Sequence, residues 1–172
     1  RRAAMVATLR THACLAAGVY PQDNDFLMKY AQGYEQMCQQ LDCVAVAPGG
    51  MVTPAVFAEK FTATRLGFND LEPNRSVPYD IQDCYLPELT DRRIVIVSSI
   101  GHLLMGRANK ETFTQVWARI GVPWFSPASV EAVDFPFIYD QSTRQKYPDV
   151  WKVYDLVVQE LSHRDFDVAL IA

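Results

Sequence analysis

The residues best placed to bind a ligand follow an apolar run near the middle of the chain. Ser98, Ser99 and Gly101 come directly after Arg93–Val97, a β-branched run typical of a buried strand, and precede a helical-looking stretch. In an open parallel sheet, ligands bind beyond the carboxyl ends of the strands, and backbone N–H groups at a helix N-terminus can hold a phosphate. Small residues also occupy such turns for steric reasons alone. The pattern therefore predicts either a nucleotide-phosphate loop or a plain turn.

A second small-residue loop, Pro-Gly-Gly at residues 48–50, follows the apolar run Cys43–Ala47 and allows the same two interpretations. Neither loop matches a Walker sequence or G-x-G-x-x-G, so an ATPase or a dinucleotide-binding protein has no direct support. His102 is the histidine near the first loop. His12 and His163 lie on predicted helices, and the three histidines form no H-x-x-x-H pair.

Two D-x-D pairs raise the question of a metal site, because neighbouring carboxylates can hold Mg²⁺ or Mn²⁺ against a diphosphate. Asp23 and Asp25 open a predicted helix, where acidic residues cap backbone N–H groups and interact favourably with the helix dipole. Asp165 and Asp167 precede their strand, at the edge opposite the expected site. Position favours a structural role for both pairs, and we assign no metal ligand to this chain.

Composition limits the class of protein. The 172 residues are 49% hydrophobic and 21% charged, with a net charge of -4, which is typical of one globular domain without the positive field of a nucleic-acid-binding protein. No apolar run reaches the roughly 18 residues of a membrane span, and no signal peptide is recognisable. We therefore expect a cytoplasmic protein. The four cysteines lack C-x-x-C spacing and are predicted to be free, mostly buried thiols.

Hydrophobic periodicity predicts alternating helices and strands. The predicted helices are Ala3–Ala17, Asp25–Leu41, Pro54–Ala63, Lys110–Ile120 and Asp149–Leu161, and the predicted strands are Cys43–Ala47, Arg93–Val97, Ser129–Phe135 and Asp167–Ile171. Arg65–Leu89, with its recurring prolines, is predicted to be a long irregular connection. Apolar strands separated by amphipathic helices favour a single α/β domain, Rossmann-like, with a mostly parallel sheet and helices on both faces. Because the chain ends on an apolar strand, Phe166–Ala172, interpreted as buried, we expect a domain that is incomplete at its C-terminus.

Several short stretches together resemble bacterial glycosyltransferases of the GT-D fold and their uncharacterised relatives. The resemblance runs from about residue 14 onward. Its pieces are Ala17–Pro21, Leu71–Pro73, Pro78-Tyr79, Arg93–Ser99, Trp117 and Asp165–Ala172.

The resemblance implies a domain that transfers a sugar from a nucleotide-sugar donor to a glycan acceptor, with Mn²⁺ or Mg²⁺ held by an acidic D-x-E motif near the N-terminus. This chain departs from that pattern, since Arg1–Ala17 contains no acidic residue and no glycine-rich loop follows the last strand. We therefore expect the fragment to be inactive alone, and no catalytic residue carries over from the resemblance.

Two other functions remain open at this point. One is a non-catalytic α/β module for binding or assembly within a larger polysaccharide-biosynthesis protein, which the missing acidic motif favours. The other is an unrelated nucleotide-dependent enzyme that uses the Ser98-Ser99 loop.

Overall fold

A computed structural model describes residues 2–16, 18–46, 64–67, 86–104 and 126–171, together with 107, 109, 111, 112 and 115. Its helices are α1 (Arg2–Ala16), α2 (Asn24–Cys38), α3 (Gly101–Leu104), α4 (Gln141–Lys146) and α5 (Val150–Ser162), with a 3₁₀ helix at Leu86–Leu89. Its strands are β1 (Cys43–Val46), β2 (Thr64–Gly67), β3 (Arg93–Ser98), β4 (Ser129–Asp134) and β5 (Val168–Ile171). The predicted helix Pro54–Ala63, the loop at 48–50 and most of 110–120 lie outside the described residues.

Local sequence signals account for the boundaries of the first two helices. The Asp23 carboxylate accepts a hydrogen bond of 2.7 Å from the Phe26 N–H and caps α2, as the sequence predicts. Gly18 follows α1 with a φ of +66°, and the next residue, Val19, donates its N–H to the Ala13 carbonyl at 3.0 Å. A Cβ at position 18 would lie 2.2 Å from Cδ1 of Ile138. The positive φ favours glycine there, and a larger residue would also displace the Ile138 side chain.

The sheet around β3 determines the fold class. Its order is β4-β3-β5, and both pairings are parallel, with Ile94 opposite Val130 on one side and Val168 on the other. β1 and β2 form a separate parallel pair. An all-parallel sheet of three strands together with helices is compatible with an α/β fold, as the sequence predicts.

The hydrophobic core lies between this sheet and α5. Val95, Val97 and Val133 are almost completely buried, and Val157 and Leu161 of α5 pack against them. Because the two α5 residues are four positions apart, they share one face of the helix. The helix begins at a cap in which the Asp149 carboxylate accepts the Lys152 N–H at 3.1 Å.

Three sequence predictions need correction. β2 overlaps the start of the predicted irregular connection. The sequence does not predict it, because a four-residue strand containing an arginine gives no clear periodicity. The segment that forms α4 was not predicted as a helix, since its sequence, QSTRQK, has no apolar residue from which a buried face could be inferred. The sequence predicts a buried terminal strand, Phe166–Ala172, but β5 is only partly buried, and its Ile171 is 75% exposed. The reason is that, among the described strands, β5 pairs with β3 alone.

The sheet supplies a stability test with two isoleucines in neighbouring strands. Ile94→Ala should lower the free energy of unfolding by about 2–5 kcal/mol, because Ile94 is 1% exposed and its removal leaves a cavity. Ile171→Ala should change it by less than about 0.5 kcal/mol, because that side chain already contacts water. Urea unfolding followed by circular dichroism measures both. Equal losses in the two variants would contradict the described burial.

Candidate functional site

The carboxyl ends of β3 and β4 lie side by side and form the candidate site. Ser98 ends β3 opposite Asp134, the last residue of β4. Ser98 is 7% exposed, its hydroxyl oxygen accepts the Ile100 N–H at 3.4 Å, and its carbonyl accepts the Phe135 N–H at 3.4 Å. Ser98 is therefore a buried anchor of the turn, whereas Ser99 is partly exposed at the same edge.

Gly101 starts α3 in direct contact with the end of β4. A Cβ at this position would lie 2.6 Å from the Asp134 Cα and 2.6 Å from the Val133 carbonyl oxygen. Both neighbours are backbone atoms, so a larger residue would force the turn away from β4. Steric contact with β4 therefore explains why position 101 is a glycine. This contact also holds α3 at the carboxyl end of the sheet.

The contact between α3 and β4 brings together a histidine and a carboxylate. Nδ1 of His102 lies 3.4 Å from each carboxylate oxygen of Asp134. The side chains are 54% and 37% exposed, so the pair remains accessible from solvent. A histidine whose ring is oriented by a carboxylate can serve as a general base or a general acid.

Sequence inspection placed His102 near the loop but missed Asp134. The available signal was the position of Asp134 at the end of a predicted strand, where a polar side chain reaches the ligand-binding edge of a parallel sheet. Its partner could not be identified without the register of β4 on β3. That register places Asp134 beside Ser98.

The acidic pair at the opposite edge binds an arginine. The Asp167 carboxylate accepts hydrogen bonds from the Arg93 backbone N–H at 2.8 Å, from Nε at 3.1 Å and from Nη2 at 2.7 Å. Nη1 of Arg93 also pairs with Asp165. These hydrogen bonds from Arg93 hold the pKa of Asp167 far below its usual range. The two carboxylates therefore join the amino ends of β3 and β5.

Three of the four carboxylates of the D-x-D pairs already have partners in the structure. Asp23 is engaged as a helix cap, and Asp165 and Asp167 are neutralised by Arg93. Within the described residues, no group of three or more His, Cys, Asp or Glu side chains is arranged to hold a metal ion.

A third polar cluster surrounds Cys14, which lies in the last turn of α1. The Arg144 guanidinium lies 5.2 Å from the centre of the Tyr20 ring, and its Nε donates to the Ile138 carbonyl at 2.8 Å. Burial raises the pKa of the Cys14 thiol in spite of the nearby positive charges of Arg144 and Arg10. A thiol that stays protonated and is inaccessible to solvent is a packing residue rather than a nucleophile.

The remaining cysteines agree in part with the prediction of free, mostly buried thiols. Cys38 is free and buried, as Cys14 is, whereas Cys43 is free and exposed. Cys84 lies outside the described residues.

Comparison with known proteins identifies no relative for this fold and site. No protein-family model, curated protein or solved structure matches the chain. Among the described helices, none has the length and apolar character needed to cross a membrane.

The Arg93–Asp167 pair predicts a pH-dependent contribution to stability. Asp167→Asn should lower the urea midpoint near neutral pH, because the ionised carboxylate accepts three hydrogen bonds from Arg93. The folded-state pKa of Asp167 is depressed, so its contribution is fully present above the unfolded-state pKa of about 3.9 and is lost as the pH falls below that value. The difference in urea midpoint between wild type and Asp167→Asn should therefore become smaller in acid.

Asp165→Asn is the matched control. Its side chain is 84% exposed, against 31% for Asp167, so solvent screens its ion pair more strongly and its effect should be smaller. If the difference in urea midpoint between wild type and Asp167→Asn stayed constant from about pH 7 to about pH 2, the stabilising role assigned to the ionised Asp167 would be contradicted.

Proposed function

We propose that this chain is a Rossmann-like domain of a glycosyltransferase and that it binds a nucleotide-sugar at the carboxyl edge of its sheet. The observation that carries the proposal is the strand order β4-β3-β5. The chain passes from β3 to its neighbour β4 on one side and then returns to β5 on the other side. In open parallel sheets, ligands bind in a crevice at the carboxyl ends of the strands where the strand order reverses, and in this sheet that reversal lies beside β3.

The loop after β3 supplies the residues for the phosphates. Ser98 fixes the turn. In this proposal the partly exposed Ser99 supplies its hydroxyl to the phosphates, and Gly101, which is buried against β4, supplies its backbone N–H. Donors of this kind interact favourably with phosphate oxygens. Gly101 also has a steric role, since its small size lets the loop after β3 approach β4. The nucleotide-phosphate role of Ser98, Ser99 and Gly101 is therefore compatible with their steric role.

His102 and Asp134 supply the acid-base chemistry in this proposal. Glycosyl transfer breaks the bond between the sugar anomeric carbon and the diphosphate oxygen and forms a bond to an acceptor hydroxyl oxygen. The nucleoside diphosphate leaves with the electron pair of the broken bond, and the hydroxyl proton passes to His102. Asp134 orients the imidazole through its contact with Nδ1. Stabilising the charge on the leaving diphosphate is the larger catalytic task, which the loop donors share.

Calorimetric titration with UDP-, GDP- and dTDP-glucose, each with and without Mn²⁺, tests the proposal. One of these donors should release heat on binding to the wild-type chain. Ser99→Asp should weaken that binding at least about tenfold, because the new carboxylate repels the phosphates across the edge of the sheet.

Ser142→Asp is the matched control for this charge change. Ser142 is exposed in the first turn of α4, where a carboxylate is well tolerated, so donor affinity should remain at the wild-type value. An equal loss in both variants would indicate a general charge effect and contradict the assignment of Ser99. A folded wild-type chain that released no heat with any donor would overturn the proposal.

The alternative function is a non-catalytic binding or assembly module, and a cluster of exposed apolar side chains favours it. Tyr34 and Met37 of α2 lie close to Tyr154 of α5, and about half of each side chain is exposed. Exposed apolar clusters often mark surfaces that contact another molecule. The calorimetric result bears on this choice, since an assembly module without a nucleotide site would release no heat with any of the donors.

A further inference from the structure

We infer that the groove between α1 and α2 binds a single-chain amphiphile that carries an anionic head group. The inference does not depend on the proposed glycosyltransferase function. The groove has a volume of about 460 Å³, within the range of roughly 300–1,000 Å³ that is usual for small-molecule sites. On the α1 side it is lined by Val6, Arg10 and Ala13, whose spacing of four and three residues places them on one face of the helix.

The α2 wall of the groove is mainly apolar. Leu27, Met28 and Ala31 line it, and Met28 is 62% exposed, while Val6 on the opposite wall is 44% exposed. Apolar side chains on both walls are thus reachable from solvent. Covering them with an alkyl chain would remove apolar surface from water, which is favourable at roughly 25 cal/mol per Å².

Arg10 defines the charge that the groove accepts. Its Nη2 donates a hydrogen bond to the side-chain oxygen of Asn24, which fixes the guanidinium at the start of α2. Its Nε is buried and has no hydrogen-bond partner, and no carboxylate of the described chain forms an ion pair with it. Arg10 therefore lines the groove as a cation whose charge no described carboxylate balances, and an anionic oxygen placed in the groove would pair with it.

The nearest carboxylates in sequence do not line the groove. Asp23 caps the Phe26 N–H, and Asp25 belongs to the first turn of α2, but neither is among the residues that form the groove. Carboxylate and phosphate head groups both match the planar donor set of a guanidinium. The shared chemistry of the ligand is therefore an alkyl chain with one of these two anions at its end.

Four probes separate the contributions of head and chain. Native mass spectrometry should show one molecule of dodecyl phosphate or dodecanoate per chain, and calorimetry should give at least one of them an affinity about tenfold above that of dodecanol. Inorganic phosphate, which has the charge without the chain, should not bind measurably. Comparison of the two anionic amphiphiles identifies the preferred head group.

Two substitutions connect this binding to the groove. Arg10→Gln should lower the affinity for the preferred anionic amphiphile about tenfold and leave the affinity for dodecanol unchanged. Met28→Glu, at an exposed position, should lower affinity for the anionic amphiphiles without affecting the fold. Lys29→Gln removes a neighbouring positive charge that does not line the groove, so it should bind as wild type does.

Several results would overturn the inference. These are absence of binding by the folded chain, dodecanol binding as tightly as its anionic analogues, and equal effects of Arg10→Gln and Lys29→Gln. Light scattering supplies another test. If the chain formed a dimer that Met28→Glu dissociated, and no amphiphile bound, a second copy of the chain would be the occupant of the groove.

Discussion

The described architecture depends on β3 being paired on both sides in a fixed register. At its amino end, Arg93 and Asp167 exchange hydrogen bonds in both directions, because the Arg93 N–H donates to the Asp167 carboxylate and the Asp167 N–H donates to the Arg93 carbonyl at 2.9 Å. A shift of one residue would turn every β5 side chain to the opposite face of the sheet. The reciprocal bonds prevent this shift and keep Ala169 facing the core formed by Val95 and Val97.

The same register produces the geometry at the opposite edge. With Arg93 opposite Ser129, six residues of pairing bring Ser98 beside Asp134. Gly101 then rests on the β4 backbone and places His102 within reach of the carboxylate. The acidic residues at one edge thus have a structural role, whereas His102 and Asp134 at the other edge remain accessible to solvent.

Sequence patterns predicted those elements that bury an apolar face. The sequence predicts the strand beginning at Arg93 from its continuous β-branched run, which is typical of a strand buried on both faces. It predicts the helix beginning near Asp149 from the period of about 3.6 residues that burial of one helix face imposes. The same patterns could not reveal α4, which has no apolar residue, or β2, which is only four residues long. The loop residues Ser98, Ser99 and Gly101 were located correctly at a strand end. Asp134 was missed because its proximity to His102 depends on pairing between segments more than thirty positions apart.

The ion pair at the amino edge also bears on how the chain folds. Arg93 and Asp167 are separated by 74 positions, so their contact requires a large loop to close. The pairing of β3 with β4 spans about half that distance and closes at a smaller entropic cost. Contacts between distant segments slow folding, because the chain loses entropy before the contact is formed. Attachment of β5 is therefore the entropically more costly pairing of this sheet, by about 0.6 kcal/mol for a doubling of the loop, and the hydrogen bonds of the Arg93 side chain offset that cost once the strand is in place.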